Sequence, residues 1–146
     1  MYSPNHQGAP DGAMSAAISD AMVQLLHRYT GRGPTSSRTT VGTDLIVCVM
    51  GAALTRGEQT LVDDGNVELV LRTRRAYQDS MRADAISAVE TISGRRVLAF
   101  MSNNHVDPDL AAELFVLEPL PSVGLDAPGD LGDPVVRELK TAALGD

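Results

Sequence analysis

The chain has 146 residues, 43% of them hydrophobic, which is enough to bury the core of one domain. Its formal net charge of −7 argues against a nucleic-acid partner, because binding a polyanion requires a basic surface. No apolar run approaches the ~20 residues that span a bilayer, residues 1–15 lack the features of a signal peptide, and the single Cys48 forms no intrachain disulfide, so we expect a cytoplasmic protein without direct membrane insertion.

Both ends of the chain are predicted to lie outside the folded domain. Residues 1–13 are rich in Gly, Pro, Asn and Ser and predict a disordered N-terminal tail. Residues 121–146 are rich in Pro, Gly and Asp and predict a flexible C-terminal tail. Within this tail, residues 135–144 could form a weak amphipathic helix, which is either a frayed end or a peptide that docks to a partner. The folded domain is therefore placed at residues 14–120.

The first half of the domain predicts a helix followed by a β-hairpin. Four apolar residues recur on one helical face: Ile18, Met22, Leu25 and Tyr29. Gly31 ends this helix, because glycine readily adopts the left-handed conformation of a helix C-terminus. Residues 35–41 are rich in β-branched and hydroxyl side chains, and residues 45–51, "LIVCVMG", are apolar. The Gly/Asp turn between them predicts that the two segments pair as strands.

The second half begins with two helices. Thr55 and Glu58 have the spacing of a capping box, in which the side chains of both residues accept free backbone N–H groups at a helix start. The short helix that they open is predicted to end at residues 63–65, "DDG". Apolar residues with a 3.6-residue period then predict a long helix over residues 66–93, which Gly94 ends.

Two further strands complete the domain. Residues 95–101, "RRVLAFM", and residues 112–118, "AELFVLE", predict strands joined by residues 102–109, and the proline that follows stops the sheet. The order of helix, strand, polar turn and strand thus occurs twice. This order predicts an α+β fold, an αββαββ two-layer sandwich with an antiparallel four-stranded sheet and two main helices on one face.

The apolar character of the strands predicts that both faces of the sheet are covered. The runs "LIVCVM", "VLAF" and "LFVL" are continuously apolar and do not alternate between apolar and polar residues. This pattern is typical of strands whose two faces are both shielded from water. Two helices can cover one face only. We expect a second copy of the chain to cover the other face, so that the protein is a homodimer; a partner protein or the C-terminal helix would also serve.

The segment of residues 102–109, "SNNHVDPD", has the highest density of side chains that could bind a ligand or take part in catalysis. Its candidate binding residues are Asn103, Asn104, His105, Asp107 and Asp109. His105 and the two carboxylates could bind a divalent metal, or His105 could act as a general base. Alternatively, Asp107 caps a turn of helix that begins at Pro108, and the two asparagines adopt the left-handed conformation. We favour this turn, with a role in binding.

Other chemical signatures are weak. The sequence has no Gly-rich phosphate loop and no hydrolase or zinc-protease motif, so we predict no cofactor, no metal and no catalytic residue. Arg32 and Arg95 each follow the glycine at the end of a helix. They could meet an anion there, or they could place a cation near the negative end of the helix dipole.

Three segments carry a family resemblance: "GRGP" at residues 31–34, "LIVCVMGAALTRGEQTL" at residues 45–61 and "ISGRRVLAFMSNNHVDPDLAAELFVLEP" at residues 92–119. Over residues 14–120 the chain resembles the MpsC-like family, which is named after a sodium-translocating, membrane-potential-generating system. The resemblance implies association with bacterial systems that move sodium or inorganic carbon across the membrane. It carries over no catalytic residue.

The resemblance therefore implies a non-enzymatic accessory or regulatory protein that binds a protein partner of a membrane system. The surface would include His105, Asp107 and Asp109. The main alternative is a sensor that binds bicarbonate, a nucleotide or another anion in a dimer groove lined by Arg32, Arg95 and His105. A metalloenzyme is the third alternative.

Overall fold

Two long helices lie across one face of a four-stranded antiparallel sheet in the computed structural model, which describes residues 8–120. The elements are α1 Gly8–Thr30, β1 Ser36–Val41, β2 Leu45–Gly51, α2 Arg56–Asp63, α3 Val67–Ser93, β3 Val97–His105 and β4 Leu110–Leu117. The strand order is β1-β2-β4-β3, so each hairpin contributes one central strand and one edge strand. This architecture confirms the predicted α+β sandwich.

The predicted helix boundaries follow from local chemistry. Gly31 and Gly94 have φ angles of +80° and +67°, the left-handed conformation in which a side chain is strained. At the start of α2, the Glu58 N–H donates to the Thr55 hydroxyl over 3.2 Å, and the Thr55 N–H donates to the Glu58 carboxylate over 2.9 Å. The capping box is therefore confirmed.

The main differences from the predicted boundaries lie at the start of α1 and in the β3–β4 hairpin. Helix α1 begins at Gly8, within the segment assigned to the N-terminal tail. Strand β3 continues to His105, because its last three residues pair with Leu110, Ala111 and Ala112 of β4. The β3–β4 connection is consequently reduced to residues 106–109, which form a turn without a helix. Residues 1–7 and the predicted C-terminal tail, with its possible helix, lie outside the described residues.

The core lies between the sheet and the two long helices. Alternate residues of β2 and β4 point toward the helices, and they are Ile46, Cys48, Met50, Ala111, Phe115 and Leu117. From above, α1 contributes Ile18, Met22 and Leu25, and α3 contributes Met81, Ala85 and Val89. The Phe100 and Phe115 rings pack with their centroids 5.0 Å apart. Aliphatic and Met side chains thus fill most of the core, as a chain with 3% aromatic residues requires.

Within residues 8–120, no helix combines the length and the apolar character that crossing a bilayer requires.

Candidate functional site

The sheet face opposite the helices is apolar along its two central strands, and no helix of residues 8–120 packs against it. Because side chains alternate along a strand, the neighbours of the core residues point to this second face. Its apolar residues are Val47 and Val49 of β2, Ala112, Leu114 and Val116 of β4, and Ala99 and Met101 of β3. The edge strands add the polar residues Thr40, Asn103 and His105. We call this surface the open face. Met101 is 53% exposed on it, and the valines and Leu114 are partly exposed.

The open face is also free of acidic groups. Arg38 of β1 points to it, in register with Val49, and no Asp or Glu of the described strands does so. The only acidic residue within the four strands, Glu113, points toward the helices. This distribution is notable in a chain with a net charge of −7. The open face can therefore approach an apolar surface without burying a carboxylate.

The β3 edge of the sheet has some of its backbone groups occupied. Arg82 of α3 donates through Nη1 to the Phe100 carbonyl over 3.2 Å. Near the other end, the Asn104 N–H donates to the Asn103 side-chain carbonyl over 2.9 Å. Occupied donors and acceptors hinder the addition of another strand at an edge. Face-to-face contact is thus favoured over edge pairing on this side.

A groove of about 480 Å³ extends the open face around the β3 edge to α3. The residues that line it from the helix include Arg75, Asp79 and Arg82, and Met101 and Asn103 line it from the strand. Arg75 has no ion-pair partner within 4.0 Å among the residues that the structure describes. The rim of the open face on this side is consequently polar and carries charges of both signs.

The turn between β3 and β4 is fixed by Asp109. Its two carboxylate oxygens accept the backbone N–H groups of Ala53 and Leu54 over 3.2 and 3.0 Å. Its backbone carbonyl accepts the N–H of Ala52, a residue in the left-handed conformation with φ +55°. These three bonds tie the turn to the β2–α2 connection, so Asp109 has a structural role that the sequence did not reveal.

The prediction that Asp107 caps a helix is wrong, because no helix begins in this turn. Asp107 is exposed, and its side chain makes no hydrogen bond within the described part of the chain. His105 Nδ1 lies 2.8 Å from the Pro108 carbonyl, which can only accept, so Nδ1 carries the proton and Nε2 remains available. No three His, Cys, Asp or Glu side chains in residues 8–120 are grouped closely enough to hold a metal ion.

Removal of the Asp109 carboxylate should destabilise the protein measurably. We expect Asp109→Ala to lower the free energy of unfolding by about 1–3 kcal/mol, because it leaves the Ala53 and Leu54 N–H groups without their acceptor. Urea denaturation measures the change. Asp107→Ala in the same turn is the control and should stay within about 0.5 kcal/mol of the wild type. Equal losses in the two variants would contradict the structural role of Asp109.

The two candidate arginines lie at opposite ends of the sheet. Arg32 donates through Nη1 to the Leu54 carbonyl over 3.0 Å, at the end where His105 and Asp109 lie. Arg95 donates to the Thr43 and Glu118 carbonyls at the other end.

The nine residues of β3 separate these ends by about 26 Å. One chain therefore does not bring Arg95 together with Arg32 and His105 into the groove predicted for an anion sensor. The binding roles of these residues stay predictions.

A buried group of charged side chains on α2, α3 and β4 was not predicted from the sequence. Arg74 of α3 places Nε 3.0 Å from a Glu58 carboxylate oxygen, at ion-pair distance but without the alignment of a hydrogen bond. Glu113 of β4 is 1% exposed, and neither of its carboxylate oxygens has a hydrogen-bond partner within residues 8–120. Burial raises the pKa of Glu113 to about 7. The neighbouring Ser102 hydroxyl, which does not reach hydrogen-bond geometry with the carboxylate, and the Arg74 charge partly offset this effect.

A signal for this group is present in the sequence. Glu113 lies on the same face of β4 as Ala111, Phe115 and Leu117, which all point to the core. Arg74 lies four residues after Val70 and seven before Met81, on the buried stripe of α3. Periodicity applied to charged as well as apolar residues would have placed both side chains inside.

Residues 11–119 match a protein-family model described as Na+-translocating membrane potential-generating system (MpsC). The match covers most of the chain and confirms the family resemblance of the sequence. No curated protein and no solved structure matches the chain.

Proposed function

Since the chain belongs to the MpsC family of a Na+-translocating, membrane-potential-generating system, we propose that it is a non-enzymatic accessory or regulatory protein of such a system. In this proposal it is cytoplasmic, acts through protein–protein contact, and is held near the membrane by a protein partner. The family supports the link to the membrane system. The open face supports contact as the mode of action, because a continuous apolar surface on a domain of this size is typical of an interaction site.

We propose further that the open face binds a second copy of the chain. Strands β2 and β4 lie at the centre of the sheet, so a twofold axis through the open face would place their apolar side chains opposite the same side chains of the partner. The lack of acidic groups on this face allows two chains of net charge −7 to meet without opposing carboxylates. Arg38 lies on an edge strand and would remain at the solvated rim.

In a pair formed through the open face, the β3–β4 turn would lie at one end of the sheet, outside the centre of the interface. His105 Nε2 and the exposed Asp107 carboxylate are oriented by the turn that Asp109 fixes. We assign them to contact with the protein partner of the membrane system. The same surface was expected from the sequence, with the difference that Asp109 supports it from inside the fold.

The paired state is tested by substitution at the centre of the open face. We expect the wild type to sediment at twice the mass of the chain and Leu114→Arg to sediment as a single chain, because an arginine would be buried without a partner in the interface. The far-ultraviolet circular dichroism of Leu114→Arg should match that of the wild type, since the side chain points away from the core.

Leu69→Arg is the matched control. Leu69 is 43% exposed on α3, on the other side of the sheet, so this variant should remain paired. A wild-type protein that sediments as a single chain at every concentration would refute the pairing. Loss of pairing in Leu69→Arg as well would show that the open face is not the interface.

A further inference from the structure

A row of polar side chains crosses the inner face of the sheet below the helices. Thr39, Cys48, Glu113 and Ser102 are successive partners in the register of β1, β2, β4 and β3. Every other part of the inner face of β4 is apolar. A single carboxylate thus lies within a layer that otherwise excludes water.

The polar groups that act on or lie beside Glu113 come from α3 and from the neighbouring strands β2 and β3. Arg74 of α3 is the only cation of the cluster, and Glu58 of α2 already pairs with it. The neighbouring strands contribute the Cys48 thiol and the Ser102 hydroxyl. The buried side chains of α1 are apolar, namely Ile18, Met22, Leu25 and Leu26.

The charges of this cluster do not balance. One guanidinium faces two carboxylates, so the ionised cluster carries one excess negative charge out of contact with water. Glu58 also accepts the Thr55 N–H, whereas both oxygens of Glu113 lack a partner among residues 8–120. An ionised carboxylate without hydrogen bonds is strongly disfavoured in a buried site. The ligand that removes the excess charge at Glu113 is a proton.

We propose that Glu113 is a reversible proton-binding site whose occupancy controls the stability of the sandwich. The site is independent of the proposed function, because it is defined inside one chain. The cluster joins α2, α3 and the central strand β4, so loss of the proton weakens the contact between both layers of the fold.

The direction of the effect follows from the two states of the chain. Burial raises the pKa of Glu113 from its ordinary value of 4.5 to about 7 in the folded protein. Below pH 4.5 both the folded and the unfolded chain hold the proton, and the group contributes nothing to the pH dependence. Between these values the unfolded chain releases the proton first, so stability falls as the pH rises. Well above pH 7 the unfolding equilibrium constant has risen by a factor that approaches about 300.

The test compares wild type with Glu113→Gln, which keeps the shape of the protonated side chain, across a pH series of urea denaturations. We expect the wild type to lose stability relative to Glu113→Gln between pH 4.5 and about 7, with no further divergence above that range. Glu118→Gln, which replaces an exposed carboxylate one residue after β4, is the matched control and should follow the wild type at every pH.

A second measurement does not depend on any variant. In wild-type protein with ¹³C-labelled glutamate, the Glu113 carboxyl resonance should titrate with a midpoint near pH 7. A midpoint near the ordinary value of 4.5, or pH profiles of Glu113→Gln and wild type that run parallel, would overturn the proposal.

Discussion

Arg74→Ala is expected to lower the free energy of unfolding by about 3–5 kcal/mol, because it leaves the buried Glu58 and Glu113 carboxylates without their cation. Arg74 is 1% exposed, so water cannot replace the guanidinium in the folded protein without opening the core. The loss also removes the contact between α2 and α3 that the ion pair provides. Urea denaturation at pH 7 measures the change.

Arg75→Ala is the matched control for this loss. Arg75 adjoins Arg74 on α3 but is exposed, and its replacement should change stability by no more than about 0.5 kcal/mol. Since protonation of Glu113 would reduce the charge left behind, the deficit of Arg74→Ala should be smaller at pH 5 than at pH 8. A loss below about 1 kcal/mol at both pH values would show that the ion pair contributes little beyond a well-packed side chain.

Phe115→Ala is expected to destabilise the protein by about 3–5 kcal/mol, through lost burial and the cavity that the ring leaves. Phe115 is fully buried in the central strand β4, where it contacts Phe100. Thermal or urea unfolding followed by circular dichroism gives the change.

Val116→Ala, at the next position of the same strand, tests the assignment of the two faces. Val116 points to the open face, so its truncation should cost no more than about 1 kcal/mol in the single chain. Similar losses in the two variants at low protein concentration would contradict the inward and outward assignment of β4. A loss for Val116→Ala that increases with protein concentration would instead reflect burial of the open face by a second copy.

The architecture could be predicted from sequence because its signals are local. Helical periodicity placed α1 and α3, and the left-handed glycines and the Thr55–Glu58 capping box gave the helix ends. The two faces of the sheet could not be told apart in this way. In β2, "LIVCVM" is apolar at every position, so the pattern does not indicate which residues point to the helices.

The polar contacts were harder to predict because their partners are distant in sequence. Asp109 binds residues 53–54, more than 50 positions earlier, and nothing in "VDPD" distinguishes it from Asp107. The polar composition of "SNNH" indicates a loop, yet its backbone continues the β3 ladder, in which its four residues pair with residues 110–113 of β4. In both cases, contacts between residues distant in sequence or on different strands determine the structure.

The strand order has a consequence for how the chain reaches its native state. Each hairpin joins neighbours in sequence, whereas the central β2–β4 pairing joins Gly51 to Leu110 and Leu45 to Val116. Closure of so long an intervening segment carries a larger entropic penalty than closure of a hairpin turn. We therefore expect the two αββ halves to acquire local structure early. The β2–β4 pairing between them should form last, at the rate-limiting step of folding.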